Sequence, residues 1–210
     1  MLSRRWSCAH AIWVTDNDMD LMAEYGVVAV HNPESNLKLG TGIAPVPKMI
    51  ERGITVALGT DGSSANDNLL MHEAMRLAAT LHRPGEPDRS KWISSNQVWR
   101  MATMGGAKAM LQDGAIGEIG IGKRADLVLY KLDAPWWKPV NQPVSQMVFA
   151  ETGGSVDMVL VDGHVVVEDG KITAFDAEAI LDQIDALINN VRQRNSDIFT
   201  VARRITELLP

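Results

Sequence analysis

The sequence predicts an α/β fold in which parallel strands alternate with helices, followed by a small β unit and a helical tail. Three observations predict it. Two continuous apolar runs, Val27–Val30 and Ile54–Leu58, have the look of strands buried on both faces, with helical patterns before, between and after them. From Gly114 the texture changes to short strands and turns, and beyond Asp176 the apolar residues recur at helical spacing. An open sheet and a (β/α) barrel both satisfy the alternation.

In chain order, a short apolar piece around Ala9 to Val14 leads to an amphipathic helix that starts at Asp16, runs to about Tyr25 and stops at Gly26. The strand Val27–Val30 follows and ends at His31. A polar Gly- and Pro-rich loop comes next, then a short helix after Pro45 that ends near Gly53, then the strand Ile54–Leu58, which ends in Gly59-Thr60-Asp61-Gly62. Asn68 is read as the cap of a longer helix that stops before Pro84, with 84–93 a polar linker. Ser94 or Ser95 starts another helix through Ala102, which Gly105-Gly106 is expected to break before a last turn to Leu111. Later strands are predicted at Asp126–Tyr130, Met158–Val161 and His164–Glu168, with hairpin signals at Asp162-Gly163 and at Asp169-Gly170 before Lys171-Ile172. The segment Asp176–Leu209 reads as one helix with Ile180, Ile184, Leu187, Ile188 and Val191 on a stripe.

Composition narrows the function. The 210 residues are 46% hydrophobic and 22% charged, enough for a sizeable core. A formal charge of −6 argues against a nucleic-acid or anionic-membrane partner, and no apolar run is long enough to span a bilayer. The single cysteine, Cys8, has no internal partner and points to a reducing, cytoplasmic setting.

Two polar residues stand where buried strands end, His31 and Asp61, and His10 follows a shorter apolar lead. If the strands belong to a parallel barrel, their carboxyl ends share one mouth, so the three converge there. Imidazoles and a carboxylate at one mouth suit metal binding and proton transfer. Plainer roles compete with these: Asp61 as an Asx-turn residue, His72 and His82 as surface residues, His164 as an unpartnered hairpin residue, Cys8 as a small core side chain, and Met71, Met75, Met101, Met104 and Met110 as core.

Ala9-His10 with Trp13-Val14-Thr15-Asp16, the run His31-Asn32-Pro33-Glu34-Ser35-Asn36-Leu37-Lys38-Leu39-Gly40 with Gly42-Ile43-Ala44-Pro45, and Gly59-Thr60-Asp61-Gly62 occur in this order. Together with 117–128 and Val161-Asp162-Gly163-His164, they resemble the metal-dependent amidohydrolase superfamily. Within it the likeness is to methylthioadenosine/S-adenosylhomocysteine deaminases, triazine chlorohydrolases and guanine deaminases. The resemblance implies about the last three units of a (β/α)8 barrel over 1–113, part of a small β-sandwich over 114–175 and a helical segment over 176–210. It also implies a hydrolase of non-peptide C–N bonds that deaminates or dechlorinates purine- or triazine-like heterocycles. Asp61 would ligate Zn2+ or Fe2+ and take a proton from the attacking water, and His10 would stand beside that water and the leaving group. His31, Ser35 and Asn36 would lie near the substrate.

The sequence also departs from that family. It has five histidines, no His-x-His pair and no His-x-x-Glu, so of the family's metal ligands only Asp61 remains. A catalytic zinc normally takes three protein ligands. The expectation is therefore a carboxy-terminal portion that neither holds the metal nor turns over substrate alone, with a homo-oligomer or a complementing amino-terminal chain as its partner. The alternative is a non-catalytic interaction or assembly module.

Overall fold

The computed structural model describes residues 2–208, leaving Met1, Leu209 and Pro210 outside the described residues. Its first sheet is parallel, with β1 (Ser7–Ala9), β2 (Val28–His31) and β3 (Val56–Leu58) side by side in chain order. Ala9 pairs with Val30 and His31 with Leu58, so the three carboxyl ends lie level. Helices α1 (Asp16–Tyr25) and α3 (Val46–Glu51) make the crossovers. Thr15 opens α1 with a reciprocal capping box to Asp18, and Gly26 closes it in the left-handed conformation. One face of α1, through Met19 and Met22, joins Val27, Ala29, Met49, Val56 and Leu58 in a core between sheet and helices.

Several boundaries differ from the sequence reading. The first strand lies ahead of His10, not over Ala9–Val14, because His10 and Ala11 both adopt positive φ (64° and 43°) and turn the chain away. The loop after His31 contains α2 (Pro33–Lys38), for which Pro33 at the first position supplies the preset φ. After α4 (Ser63–Asn66), the long helix α5 (Met71–Thr80) starts beyond Asn68, whose side chain accepts from the Leu70 N–H and donates to Glu73 instead of capping.

The glycine pair does not break its helix. From α6 (Ser95–Arg100), capped by Ser94, the chain passes through a π-helical stretch, Met101–Gly105, into α7 (Gly106–Ala109). Gly105 is there for contact: a Cβ on it would stand 2.5 Å from the Val56 carbonyl oxygen and 3.1 Å from the Ala57 Cα. The stretch packs directly on β3.

The second sheet is antiparallel, formed by β4 (Leu127–Tyr130), β5 (Val156–Val161), β6 (His164–Glu168) and β7 (Lys171–Ile172) in that order. Asp162-Gly163 and Asp169-Gly170 have positive φ at both residues, as type I′ hairpin turns require. Between β4 and β5 the sequence reading had no helix; the structure has α8 (Pro143–Phe149), whose Met147 and Val148 join the core with Trp137. Beneath it Glu151, fully buried, takes N–H donors from Trp136, Trp137, Thr152 and Ser155.

The tail is two helices, α9 (Ala177–Arg194) and α10 (Ser196–Leu208), split at Asn195. The stripe from Ile180 to Val191 is 41–60% exposed. Met110 is 70% exposed, against its expected core place, while Met75 and Met101 are buried. None of the described helices is long and apolar enough to cross a membrane.

Candidate functional site

Each strand of the parallel sheet hands a polar residue to the same end. His10 follows β1 directly, Ser35 and Asn36 come from α2 just beyond β2, and Asp61 stands three residues beyond β3. The level ends of the strands bring them together. Asp61 Oδ2 accepts from Ser35 Oγ at 2.6 Å, and Oδ1 accepts from the Gly62 N–H at 2.7 Å. His10 Nε2 is 3.7 Å from Asp61 Oδ2, and His10 Nδ1 is 2.8 Å from Asn36 Oδ1. The cluster thus runs Asn36, His10, Asp61, Ser35.

Burial divides these four residues into pairs. The side chains of His10 and Asp61 are 41% and 30% exposed, while Ser35 and Asn36 are 1% and 2% exposed. The Ser35 hydroxyl, then the Gly62 N–H, with a smaller contribution from His10, hold the Asp61 carboxyl below its usual range. It is therefore a carboxylate at neutral pH. Both exposed members have a left-handed backbone, φ 64° each, where a non-glycine residue costs about 1–3 kcal/mol; such strain clusters at functional sites.

His31 points elsewhere. It alternates with Val30 and shares a face with Ala29, which belongs to the core against α1. Its ring is 2% exposed and lies 6.3 Å from that of His82, and neither of its nitrogens has a partner among the described residues. Burial, then repulsion from His82, pushes its pKa down to about 4, so it is neutral. The structure thus separates His31 from the His10–Asp61 rim that it was expected to share.

His72 and His82, expected at the surface, are half-buried; His72 Nε2 meets the Tyr130 hydroxyl at 3.0 Å and His82 Nε2 the Ala44 carbonyl at 2.9 Å. A brace that the sequence reading missed supports the Asp61 turn: Asn66 donates to the Thr60 carbonyl and to Glu34. Only the Asp-Gly pair, an Asx-turn signal, marked this turn in the sequence.

Among the described residues no group of three or more His, Cys, Asp and Glu side chains is placed to hold an ion. Asp61 and His10 supply one carboxylate and one imidazole, and both Asp61 oxygens already accept hydrogen bonds. A catalytic zinc site does not fit these residues alone. The rim is open to solvent; a cleft of about 680 Å³ lies at the other end of the sheet, between Arg4, Arg5, Val28, Thr55 and Lys108.

Comparison with known proteins gives this geometry a context. Residues 4–166 match the family described as the amidohydrolase family. The chain is 44% identical over 172 residues to a 5-methylthioadenosine/S-adenosylhomocysteine deaminase of Acetivibrio thermocellus, covering 82% of this chain and 40% of that protein. It is 41% identical over 179 residues to a 5'-deoxyadenosine deaminase of Methanosphaera stadtmanae, covering 85% of this chain and 41% of that protein. Among solved structures, an adenosine deaminase from Xanthomonas campestris with bound zinc superposes with a TM-score of 0.86 at 31% identity, over 91% of this chain and 44% of that one. A zinc complex of atrazine chlorohydrolase from Arthrobacter aurescens gives 0.82 at 33% identity, over 89% and 41%. The chain spans about two fifths of the length of the curated relatives it matches.

Proposed function

Because this chain belongs to the amidohydrolase family, we propose that it supplies the proton-handling part of a hydrolytic site that removes an amino group from a purine-type ring. The observation that carries the reading is the pairing of an ionised Asp61 with a solvent-facing His10 at the level ends of three parallel strands. On this reading β1–β3 and their helices are the last three units of a barrel within 1–113. The second sheet is part of a sandwich within 114–175, and 176–210 is a helical appendage.

The chemistry follows from charge and exposure. The Asp61 carboxylate takes a proton from a water as its oxygen bonds to the ring carbon bearing the amino group, the ring C=N π pair moving onto the adjacent ring nitrogen and returning when the tetrahedral centre collapses. The tetrahedral centre collapses when the C–N bond breaks and the nitrogen, protonated through Asp61 or His10, leaves as ammonia. His10 Nε2, 3.7 Å from Asp61 Oδ2, can exchange that proton through one bridging water and orient the attacking water. Amino purine nucleosides are the favoured substrates, because the deaminases above are 41–44% identical to this chain; chlorotriazines come second, on the likeness to the chlorohydrolase. A metal centre, zinc or iron, would need ligands from outside these residues, in a longer polypeptide or a second chain.

The test is turnover of 5'-methylthioadenosine, S-adenosylhomocysteine, 5'-deoxyadenosine and a chlorotriazine with zinc or iron present. The assay is run on the chain alone and after mixing with a polypeptide carrying the preceding three fifths of a related deaminase. No turnover alone and ammonia release after mixing is the expected result. Ammonia release by the chain alone would overturn the incomplete-site reading. A mixture that forms a zinc-containing complex yet stays inert on every substrate would favour the assembly-module alternative.

A further inference from the structure

We propose that Ser35 and Asn36 are positioning residues, which fix the orientation of Asp61 and the tautomer of His10, and not substrate contacts. Substrate must approach the rim from solvent, where His10 and Asp61 are exposed. Ser35 and Asn36 are 1% and 2% exposed and lie behind that pair. The Ser35 hydroxyl and the Asn36 Oδ1 are already engaged with it, while the buried Asn36 Nδ2 has no partner among the described residues. The Ser35 hydroxyl donates to Asp61 Oδ2, so with Gly62 on Oδ1 both carboxylate oxygens are tied and the side chain cannot rotate freely.

Asn36 has the more specific consequence. Its Oδ1 is an acceptor only, so at 2.8 Å it places a hydrogen on His10 Nδ1. A neutral imidazole carries one hydrogen, so Nε2 is left bare. Nε2 is the nitrogen 3.7 Å from Asp61 Oδ2. The pair therefore waits with two proton acceptors on the rim, and a proton that Asp61 collects from water has an empty site beside it. With the other tautomer Nε2 would already hold its hydrogen and the relay would be closed. Helix α2 sets this arrangement with two consecutive residues. Asn36 belongs to α2, packed at the end of β2, and its backbone N–H bonds the Asn32 carbonyl at 3.0 Å.

The inference rests on Asp61 and His10 being the proton-handling pair, but its test needs no turnover. In the full, metal-free chain labelled with ¹⁵N-histidine, long-range ¹H–¹⁵N spectra at alkaline pH distinguish protonated from bare ring nitrogens. The His10 signals are assigned by their loss in His10→Gln. The expected spectrum has Nδ1 protonated and Nε2 bare, by tenfold or more. Asn36→Leu, which removes the acceptor, should abolish that preference, and Asn36→Asp, which keeps it, should restore it. A purely structural Asn36 would move neither signal. Nδ1 bare in the wild-type chain would overturn the proposal even if no variant folds, as would an unchanged tautomer in a folded Asn36→Leu. A correct tautomer together with an inert reconstituted enzyme would instead refute the functional reading.

Discussion

Replacing Glu151 by Gln should destabilise the chain severely although it changes one atom. The carboxylate is fully buried, and each oxygen accepts two N–H groups: Oε2 those of Trp136 (3.0 Å) and Trp137 (2.8 Å), Oε1 those of Thr152 (3.0 Å) and Ser155 (3.2 Å). Gln turns one acceptor into a donor, so two hydrogen bonds are lost and two N–H groups face an NH2 group. With hydrogen bonds to a charged group worth about 1.5–3 kcal/mol each, the cost is about 3–5 kcal/mol. Set against the 5–15 kcal/mol that holds a typical domain, this is a large share. In urea, at a slope of about 2 kcal/mol per M, the midpoint should fall by about 2 M.

The same carboxylate fixes a pH dependence. Burial alone would raise its pKa, but the donors from Trp136, Ser155 and Trp137 outweigh it and bring the value down from 4.5 to about 2. An unfolded chain takes up the proton first as pH falls, so stability is complete above about 4.5 and is lost on the way to about 2. The amount is about 3 kcal/mol. The Gln variant should lack this slope. A midpoint within about 0.5 M of wild type would refute the reasoning, because the four N–H groups could not then depend on that charge.

Other perturbations separate packing, titration and capping. Gly105→Ala should cost about 1–3 kcal/mol because its Cβ meets the β3 backbone, whereas Gly106→Ala, with open space and helical φ, should gain about 0.5–1 kcal/mol; urea midpoints of the pair read both. His31 is neutral when folded, with its pKa lowered from 6.5 to about 4, so stability should fall by about 3 kcal/mol between pH 6.5 and pH 4. Denaturant titrations across that range should show a shallower slope in His31→Leu, the remainder coming from His72 and His82, whose pKa values burial also lowers. Ser94→Ala removes one half of the capping box with Gln97 and should lower stability by about 1 kcal/mol, seen as reduced helicity on heating.

Most of the fold was legible where the physics is local. The helix start at Asp16, its stop at Gly26 and the two Asp-Gly hairpins each carry their own geometry in adjacent residues. What failed depends on distant partners. Gly105 reads as a breaker until β3 is laid against it, and Asn68 reads as a cap until its side chain is given to Glu73 and Leu70. His31 shows the same limit at the site. Its place at a strand end was readable, but which face it takes depends on the two-residue period relative to Ala29, and one position decides between rim and core. Asn66 and Glu34 had no marking pattern, since each matters through a contact across 32 positions of chain.

The most direct test of the account is the rate of deamination by the mixed assembly when Asp61→Asn replaces the wild-type chain, with zinc content and complex formation measured alongside. A loss of 100-fold or more at undiminished complex formation is expected, the range for removing a general acid–base group. An assembly that deaminates at the wild-type rate without the Asp61 carboxylate would contradict it.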